Sequence, residues 1–439
     1  MSATAPLKNH LTRESGTIRN FRWYICGLLL YATTVNYMDR SVLGLLEPTI
    51  ARDLHWDNKE YATISTVFQI GYAVMMPLAG RVIDWIGLRI GYALATLLWS
   101  ISSMAHSLAG TGTQFALARL GLGLGEAANF PACIKAVADW FPKRERALAT
   151  GIFNGGSNLG AILAPLFVPV VYAHFGWRAA FLFTGSLSFT FVILWTLVYR
   201  EPENHPRLSA EELAFIRSDQ EGISNDSVPY REVLQHRAAW AFLTGKFLTD
   251  PVWWFYLFWL PGFLQRAYHV DLAQVAAPLI VVYAASAVGS IGGGWLSSSL
   301  IKNGWTVQKA RKTAMLVCAL AVAGVIFVPE VASSMWFTVA LISLATAAHQ
   351  GWSANLFTVA SDNFPRAAVG SVVGLGGLGG AIGGALVQRP VGVWLDYSHN
   401  AYGPIFIICG SIYLLALLVI HLLLPRQRKA AMPSGFSAT

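Results

Sequence analysis

Apolar stretches of about twenty residues, each long enough to cross a bilayer as a helix, recur along almost the whole chain and are separated by short polar connections. The pattern predicts an all-α polytopic membrane protein with twelve transmembrane helices, starting near residues 23, 60, 88, 113, 146, 178, 238, 275, 312, 335, 366 and 401. Only one polar insertion is long. From Arg200 to Arg237 both charge signs mix over a segment too hydrophilic to enter lipid, and Ser209 with Glu212 forms a capping-box pattern that predicts a short surface helix. This insertion divides six helices from six. The expected organisation is a tail over 1–22, a six-helix bundle over 23–200, a linker over 201–237, a second six-helix bundle over 238–425 and a tail over 426–439.

The placement of bases gives the topology. Lys8, Arg13, Arg19 and Arg22 precede the first helix. Arg81 and Arg89 follow the second, Lys135, Lys143, Arg144 and Arg146 the fourth, Lys302, Lys309, Arg311 and Lys312 the eighth, and Arg426, Arg428 and Lys429 the last. The connection from His106 to Gln114 carries none, so the N- and C-termini are expected to be cytoplasmic. Composition agrees: 55% of the 439 residues are hydrophobic and 12% charged, against about 25% charged in soluble domains. The net charge of +8 follows from the loop bases and implies no nucleic-acid partner. The polar start of the chain lacks the order of a cleaved signal peptide, so the first apolar helix is expected to be retained. Cys26, Cys133, Cys318 and Cys409 lie within apolar segments and read as packing residues, with no metal or disulfide spacing. No HExxH or GxSxG occurs, so no enzyme is expected.

Charges inside the apolar runs are the strongest functional signal. Asp39 and Arg40 lie in the first predicted helix, and Arg119 and Glu126 in the fourth. An ionised group at mid-membrane costs about 2.5–3.5 kcal/mol on insertion scales, and persists where it pairs, lines a watery path or carries a proton. Arg119 and Glu126 stand seven residues apart, nearly two turns, and so share a face. Asp39 is expected towards the outer end of its helix. Arginine suits an anionic ligand, because its planar fork makes two parallel bonds to a carboxylate and stays charged. Depth alone does not choose between Arg40 and Arg119 for that task.

An internal repeat supports two halves. Asp139-Trp140-Phe141-Pro142 recurs as Asp362-Asn363-Phe364-Pro365, each followed by a glycine-rich helix. Parallel repeats of this kind place the ligand at their interface near the midplane. Candidate ligand contacts in the first half are Tyr37, Gln69, Tyr72, Asn154, Ser157 and Asn158. In the second they are His349, Gln350, Trp352, Ser353 and Asn355, with Trp253, Trp254 and Tyr256 offering ring surface. His349 reads equally as a proton relay or a helix bridge.

Between the second and third helices the chain reads Gly80-x-x-x-Asp84-x-x-Gly87-x-Arg89. Gly80 is expected to allow tight packing, Asp84 to cap a helix or pair with a base, and Arg89 to stay at the interface. This resembles the loop signature of the major facilitator superfamily, which implies that superfamily's fold and a gating role as a latch in the outward-open state. The counterpart in the second half has Ser298 where the acid would stand. Within the superfamily, NYMDR at 36–40, RLGLGLGEAANFPA at 119–132, WFPKRERALATGIFNGGSNLGA at 140–161, LSAEE at 208–212 and AHQGWSANLFTVASDNFP at 348–365 resemble the anion:cation symporters. The AHQxxSAN stretch and DPVWWFYLFWLPGFL at 250–264 are most similar to hexuronate carriers.

The resemblance implies a proton-coupled symporter that imports a sugar acid, galacturonate or glucuronate, across a bacterial inner membrane as a functional monomer. Protons are then the coupling ion, with no other cofactor and no metal. Asp39 and Glu126 become the proton acceptors, and Arg40 the favoured carboxylate clamp. An aldonate such as galactonate, another organic anion, and a facilitator or antiporter on the same fold are the alternatives.

Overall fold

The computed structural model describes residues 18–218, 230–331, 333–364 and 366–424. Most of the two expected tails, the middle of the linker and Pro365 of the repeated motif lie outside the described residues. Within them the chain is helical and without strands. The first half holds α1 (Phe21–Leu54), α2 (Asn58–Ile86), α3 (Leu88–Ala105), α4 (Gly112–Glu126), α5 (Asn129–Trp140) and α6 (Lys143–Val198). The linker holds α7 (Ala210–Arg217) and α8 (Tyr230–Val233). The second half holds α9 (Arg237–Phe258), α10 (Leu260–Tyr268), α11 (Leu272–Lys302), α12 (Val307–Ala323), α13 (Met335–Asn363), α14 (Arg366–Tyr397) and α15 (Gly403–Leu423).

These starts fall close to the expected ones, with three informative differences. Gly176 breaks α6 in a conformation (φ 80°, ψ 170°) that glycine adopts without a Cβ clash, which separates the fifth and sixth apolar runs. The fourth run splits at Ala127 and Ala128, directly after Glu126. The first helix runs on through Pro48 to Leu54, so Asp39 stands mid-helix rather than towards an end. Among the described residues six helical stretches, including Asn58–Ile86, Leu272–Lys302 and Gly403–Leu423, are apolar and long enough to cross a membrane by length and composition. Large apolar side chains such as Phe175, Val288, Ile291 and Leu422 stand exposed, an arrangement that suits lipid rather than water.

In the first half α1 packs on α6 and α2 on α4; in the second, α11 packs on α13 and α9 on α14 and α15. Across the halves α2 meets α14, and α6 meets α11. Small residues set these approaches. A Cβ at Gly156 would come within 2.7 Å of the Leu30 carbonyl oxygen, and one at Gly160 would overlap the Thr34 carbonyl oxygen, so α6 touches α1 backbone to backbone. Gly80, by contrast, has open space where a Cβ would be. In its loop it is Gly87, at φ 84°, that the backbone requires.

The linker is tied to the first half. Ser209 Oγ accepts from Glu212 N at 3.1 Å, as the capping pattern predicts. The reciprocal bond is replaced: the Glu212 carboxylate accepts from Phe21 N (2.9 Å), Arg22 N (3.2 Å) and the Arg22 guanidinium (2.9 Å). The reason is that Asn20, ahead of α1, makes no side-chain cap, which leaves first-turn N–H groups in need of an acceptor. Arg22 also pairs with Glu145 in the first turn of α6 at 2.8 Å.

Candidate functional site

The buried charges converge between α1 and α4. Arg40 and Glu126 form an ion pair in which Nε and Nη2 each lie 2.8 Å from the same carboxylate oxygen, Oε2, with side chains 2% and 0% exposed. Nη2 also donates to Asn36 Oδ1 at 3.1 Å, one turn back along α1. The second carboxylate oxygen, Glu126 Oε1, is buried without a hydrogen-bond partner. The guanidinium is walled by aromatic rings, with its carbon 4.5 Å from the Tyr37 centroid, 5.1 Å from Tyr72, 5.2 Å from Trp254 and 5.6 Å from Phe68.

Asp39 points the other way around α1. It accepts from Ser103 Oγ of α3 at 2.6 Å and Ser188 Oγ of α6 at 2.5 Å. Arg119 shares the buried face of α4 with Glu126, as the spacing predicts, but does not pair with it. Its two terminal nitrogens donate to the Arg40 carbonyl oxygen at 3.3 Å, and among the described residues it meets no carboxylate at ion-pair distance. The four charges cancel when all are ionised. Each proton taken by the set adds one positive charge, which a monoanion would cancel.

Other predicted contacts divide into those near this centre and those engaged elsewhere. Gln69 is fully buried with neither amide atom partnered. Trp253 stacks on His349 at 5.4 Å, and His349 Nδ1 lies 2.5 Å from the Tyr413 hydroxyl, so the histidine bridges α13 to α9 and α15. Trp352 packs edge-on to Tyr413 at 5.3 Å with its N–H unpartnered, and the buried Tyr256 hydroxyl is likewise unpartnered. Asn355 bridges helices, donating to the Gly293 and Gly351 carbonyls at 2.8 and 2.9 Å. Asn154 is exposed, Ser157 bonds back to the Asn154 carbonyl at 2.7 Å, and Asn158 accepts from Ser286 of α11 at 3.4 Å. Gln350 and Ser353 are half-buried on α13.

In the interhelical loop, Asp84 pairs with Lys135 of α5, and Arg89 Nη2 donates to the Thr196 carbonyl at 2.6 Å. Both contacts stay within the first half. In the second half, Arg311 reaches Ser297 Oγ at 2.8 Å and Asp362 at 3.4 Å.

Sequence reasoning passed over three groups. Glu47 of α1 pairs with Arg266 of α10, and Lys246 pairs with Asp250 along α9 at 2.7 Å. Asp396 of α14 accepts from the backbone N–H of Asn58 (2.9 Å) and Lys59 (2.8 Å), capping α2 from across the halves. Two signals were available: the i,i+4 spacing of Lys246 and Asp250, and the position of Asp396 at the end of an apolar run.

The family profile of the Major Facilitator Superfamily matches residues 29–388. The Hexuronate transporter of Escherichia coli (strain K12) is 31% identical over 420 residues, covering 94% of this chain and 96% of that protein. The Galacturonate transporter of Dickeya chrysanthemi is 34% identical over 284 residues, covering 64% of this chain and 82% of that protein. A Probable galactarate/D-glucarate transporter of Escherichia coli (strain K12), GarP, is 27% identical over 412 residues, covering 89% of this chain and 92% of that protein. Among solved structures, the inward-open xylose transporter XylE from E. coli superposes with a TM-score of 0.71 at 15% identity, covering 93% of this chain and 97% of that one. The all-helical fold, the profile match and the relatives agree: the chain belongs to the major facilitator superfamily, and is a multi-pass membrane transporter rather than an enzyme.

Proposed function

We propose that this transporter imports a sugar acid, most of all a hexuronate such as galacturonate or glucuronate, together with protons, by alternating access in the bacterial inner membrane. On this reading the helices make twelve crossings in two six-helix bundles, both termini are cytoplasmic, and the monomer is the working unit. The observation that carries it is the buried Arg40–Glu126 pair with one carboxylate oxygen left unpartnered. A carboxylate ligand competes with Glu126 for Arg40, and a released Glu126 favours its protonated form in a site closed to water. Proton and anion then enter together because the charge of the set balances when neither is bound or when both are, and not with one alone. The aromatic wall around Arg40 gives a sugar ring its apolar face, and Gln69 gives its hydroxyls an amide.

The cross-half contacts support a gating role for the end opposite the linker. There Glu47–Arg266, Asp396 on the start of α2, Gln265 on the Leu45 carbonyl (3.1 Å) and Tyr61 on the Phe258 carbonyl (2.7 Å) hold the halves together.

The test is uptake of labelled galacturonate, glucuronate and galactonate into proteoliposomes with and without an inward proton gradient. Gradient-driven accumulation of a hexuronate is the expected result. Accumulation of galactonate alone would keep the coupling and overturn the substrate; no response to the gradient for any of them would overturn symport.

A further inference from the structure

Lys246, buried, and Asp250, half-buried, are charges that the proton and carboxylate chemistry above does not use. They stand one turn apart on α9, Nζ to Oδ2 at 2.7 Å, and their side chains keep 11% and 16% exposure, so solvent reaches a pair embedded in an apolar helix. The next turn of the same face carries Trp254, whose ring lies 5.2 Å from the Arg40 guanidinium carbon. Facing them, α14 presents glycines. Gly380 lies against the Asp250 carboxylate, and a Cβ at Gly384 would come within 2.7 Å of the Trp254 ring and 3.2 Å of Gln69 Nε2. Gly380 and Gly384, one turn apart, therefore let α14 approach closely and align Asp250 with Trp254 and the unpartnered amide of Gln69 along one face of that helix.

We propose that Asp250, Lys246 and Gln69 form a second subsite that reads the hydroxyl end of the sugar acid while Arg40 holds its carboxylate, and that Asp250 makes the transporter selective for monocarboxylates. This rests on the sugar-acid reading given above. The chemistry follows from the groups. A carboxylate accepts from two neighbouring hydroxyls, an ammonium donates to a third oxygen, and an amide does both. One turn of α9, about 5.4 Å, separates this cluster from the ring that stacks on Arg40. A ligand bearing a second carboxylate at its far end meets Asp250 as a like charge.

The test measures galacturonate uptake in proteoliposomes, with galactarate, a dicarboxylate, as competitor, for the wild type, Asp250→Asn, Lys246→Gln and the double variant, at matched protein levels. Asp250→Asn is expected to weaken galacturonate by about tenfold or more, the effect of losing a hydrogen bond to a charged group, and to strengthen inhibition by galactarate. Lys246→Gln should weaken galacturonate without gaining galactarate. If either single variant fails to fold, the double variant carries the test, since it leaves no unpaired charge behind. A double variant with wild-type galacturonate affinity and an unchanged ratio of the two ligands would overturn the subsite and make the pair a structural brace. Wild-type protein that moves no sugar acid would sink the transport reading itself, a separate outcome.

Discussion

Replacing Glu126 with glutamine tests the competition at the centre of the mechanism. The pair is buried, 2% and 0% exposed, and removing one partner of such a pair costs about 3–5 kcal/mol because the other charge is left uncompensated. The ligand-free variant should therefore unfold several degrees below the wild type. Binding should move in the opposite direction. In the wild type an incoming carboxylate must displace Glu126 from Arg40, giving up charge-assisted hydrogen bonds of 2.8 Å, worth about 1.5–3 kcal/mol. With the competitor neutralised, galacturonate should bind about 10–100-fold more tightly. Saturating ligand should then restore much of the lost stability, since binding to the folded state alone adds stability with ligand concentration. The assay is a binding isotherm in detergent between pH 5.5 and 8.5, alongside proteoliposome flux. Wild-type affinity should fall as pH rises, the affinity of Glu126→Gln should be flat, and gradient-driven accumulation should vanish while counterflow survives. Unchanged affinity in the variant, or a pH dependence like that of the wild type, would show that Glu126 does not contest Arg40 and that the pair is only a brace.

Four further outcomes follow from particular contacts. Gly156→Ala should lower the unfolding midpoint through about 1–3 kcal/mol of overpacking against the Leu30 carbonyl, with ligand affinity unmoved. Glu212→Ala uncaps α1 and should cost about 0.5–2 kcal/mol, seen as faster amide exchange over its first turn. Glu47→Gln weakens the cross-half tie to Arg266, and labelling of a cysteine placed at Ala62, beside Gly392, by an impermeant maleimide should rise; equal labelling would remove Glu47 from the seal. Burial holds His205 below the usual histidine range, with Nδ1 accepting from Arg207 N at 3.2 Å and Nε2 donating to the Val198 carbonyl at 3.1 Å. Because the folded state favours the neutral ring, its contribution is complete above about pH 6.5 and is lost as pH falls towards the lowered value. Amide exchange over 201–217 should quicken in that window.

The helices were legible because apolar length and loop charge are properties of contiguous sequence. Starts expected at 88, 335 and 366 are the observed ones, and those at 23, 60, 113 and 238 fall within two residues of Phe21, Asn58, Gly112 and Arg237. The membership of the charged centre was also legible, since Arg40, Arg119, Asp39 and Glu126 are conspicuous in apolar surroundings. Their pairing was not. Arg119 shares a face with Glu126, yet α1 brings Arg40 to the acid instead, and Asp39 is served by Ser103 and Ser188, serines that look ordinary in their own helices. Glu47 was hidden by a rule of length: a helix of about twenty residues starting near 23 ends before it, whereas α1 continues to Leu54. Pro48 reads as a stop signal, but here it stands inside the helix.

The way the charges are partnered bears on how two halves could move past each other. Arg40–Glu126 lies wholly before the linker, and Lys246–Asp250 wholly after it, on one helix. Neither pair has to break for the halves to rock as bodies, so in the ligand-free protein the penalty of a bare charge in a dry interior, the large one for Arg40–Glu126, is avoided. Glu47–Arg266 and the Asp396 cap on α2 do span the halves, and these must part. They differ from the central pairs in the way that role requires. Asn58 and Lys59 are at a helix start with backbone N–H groups that water can take over, and the Arg266 side chain is 26% exposed, so its charge reaches solvent when Glu47 leaves. The ties that have to open are the ones water can replace, and the driest tie, Arg40–Glu126, sits within a half.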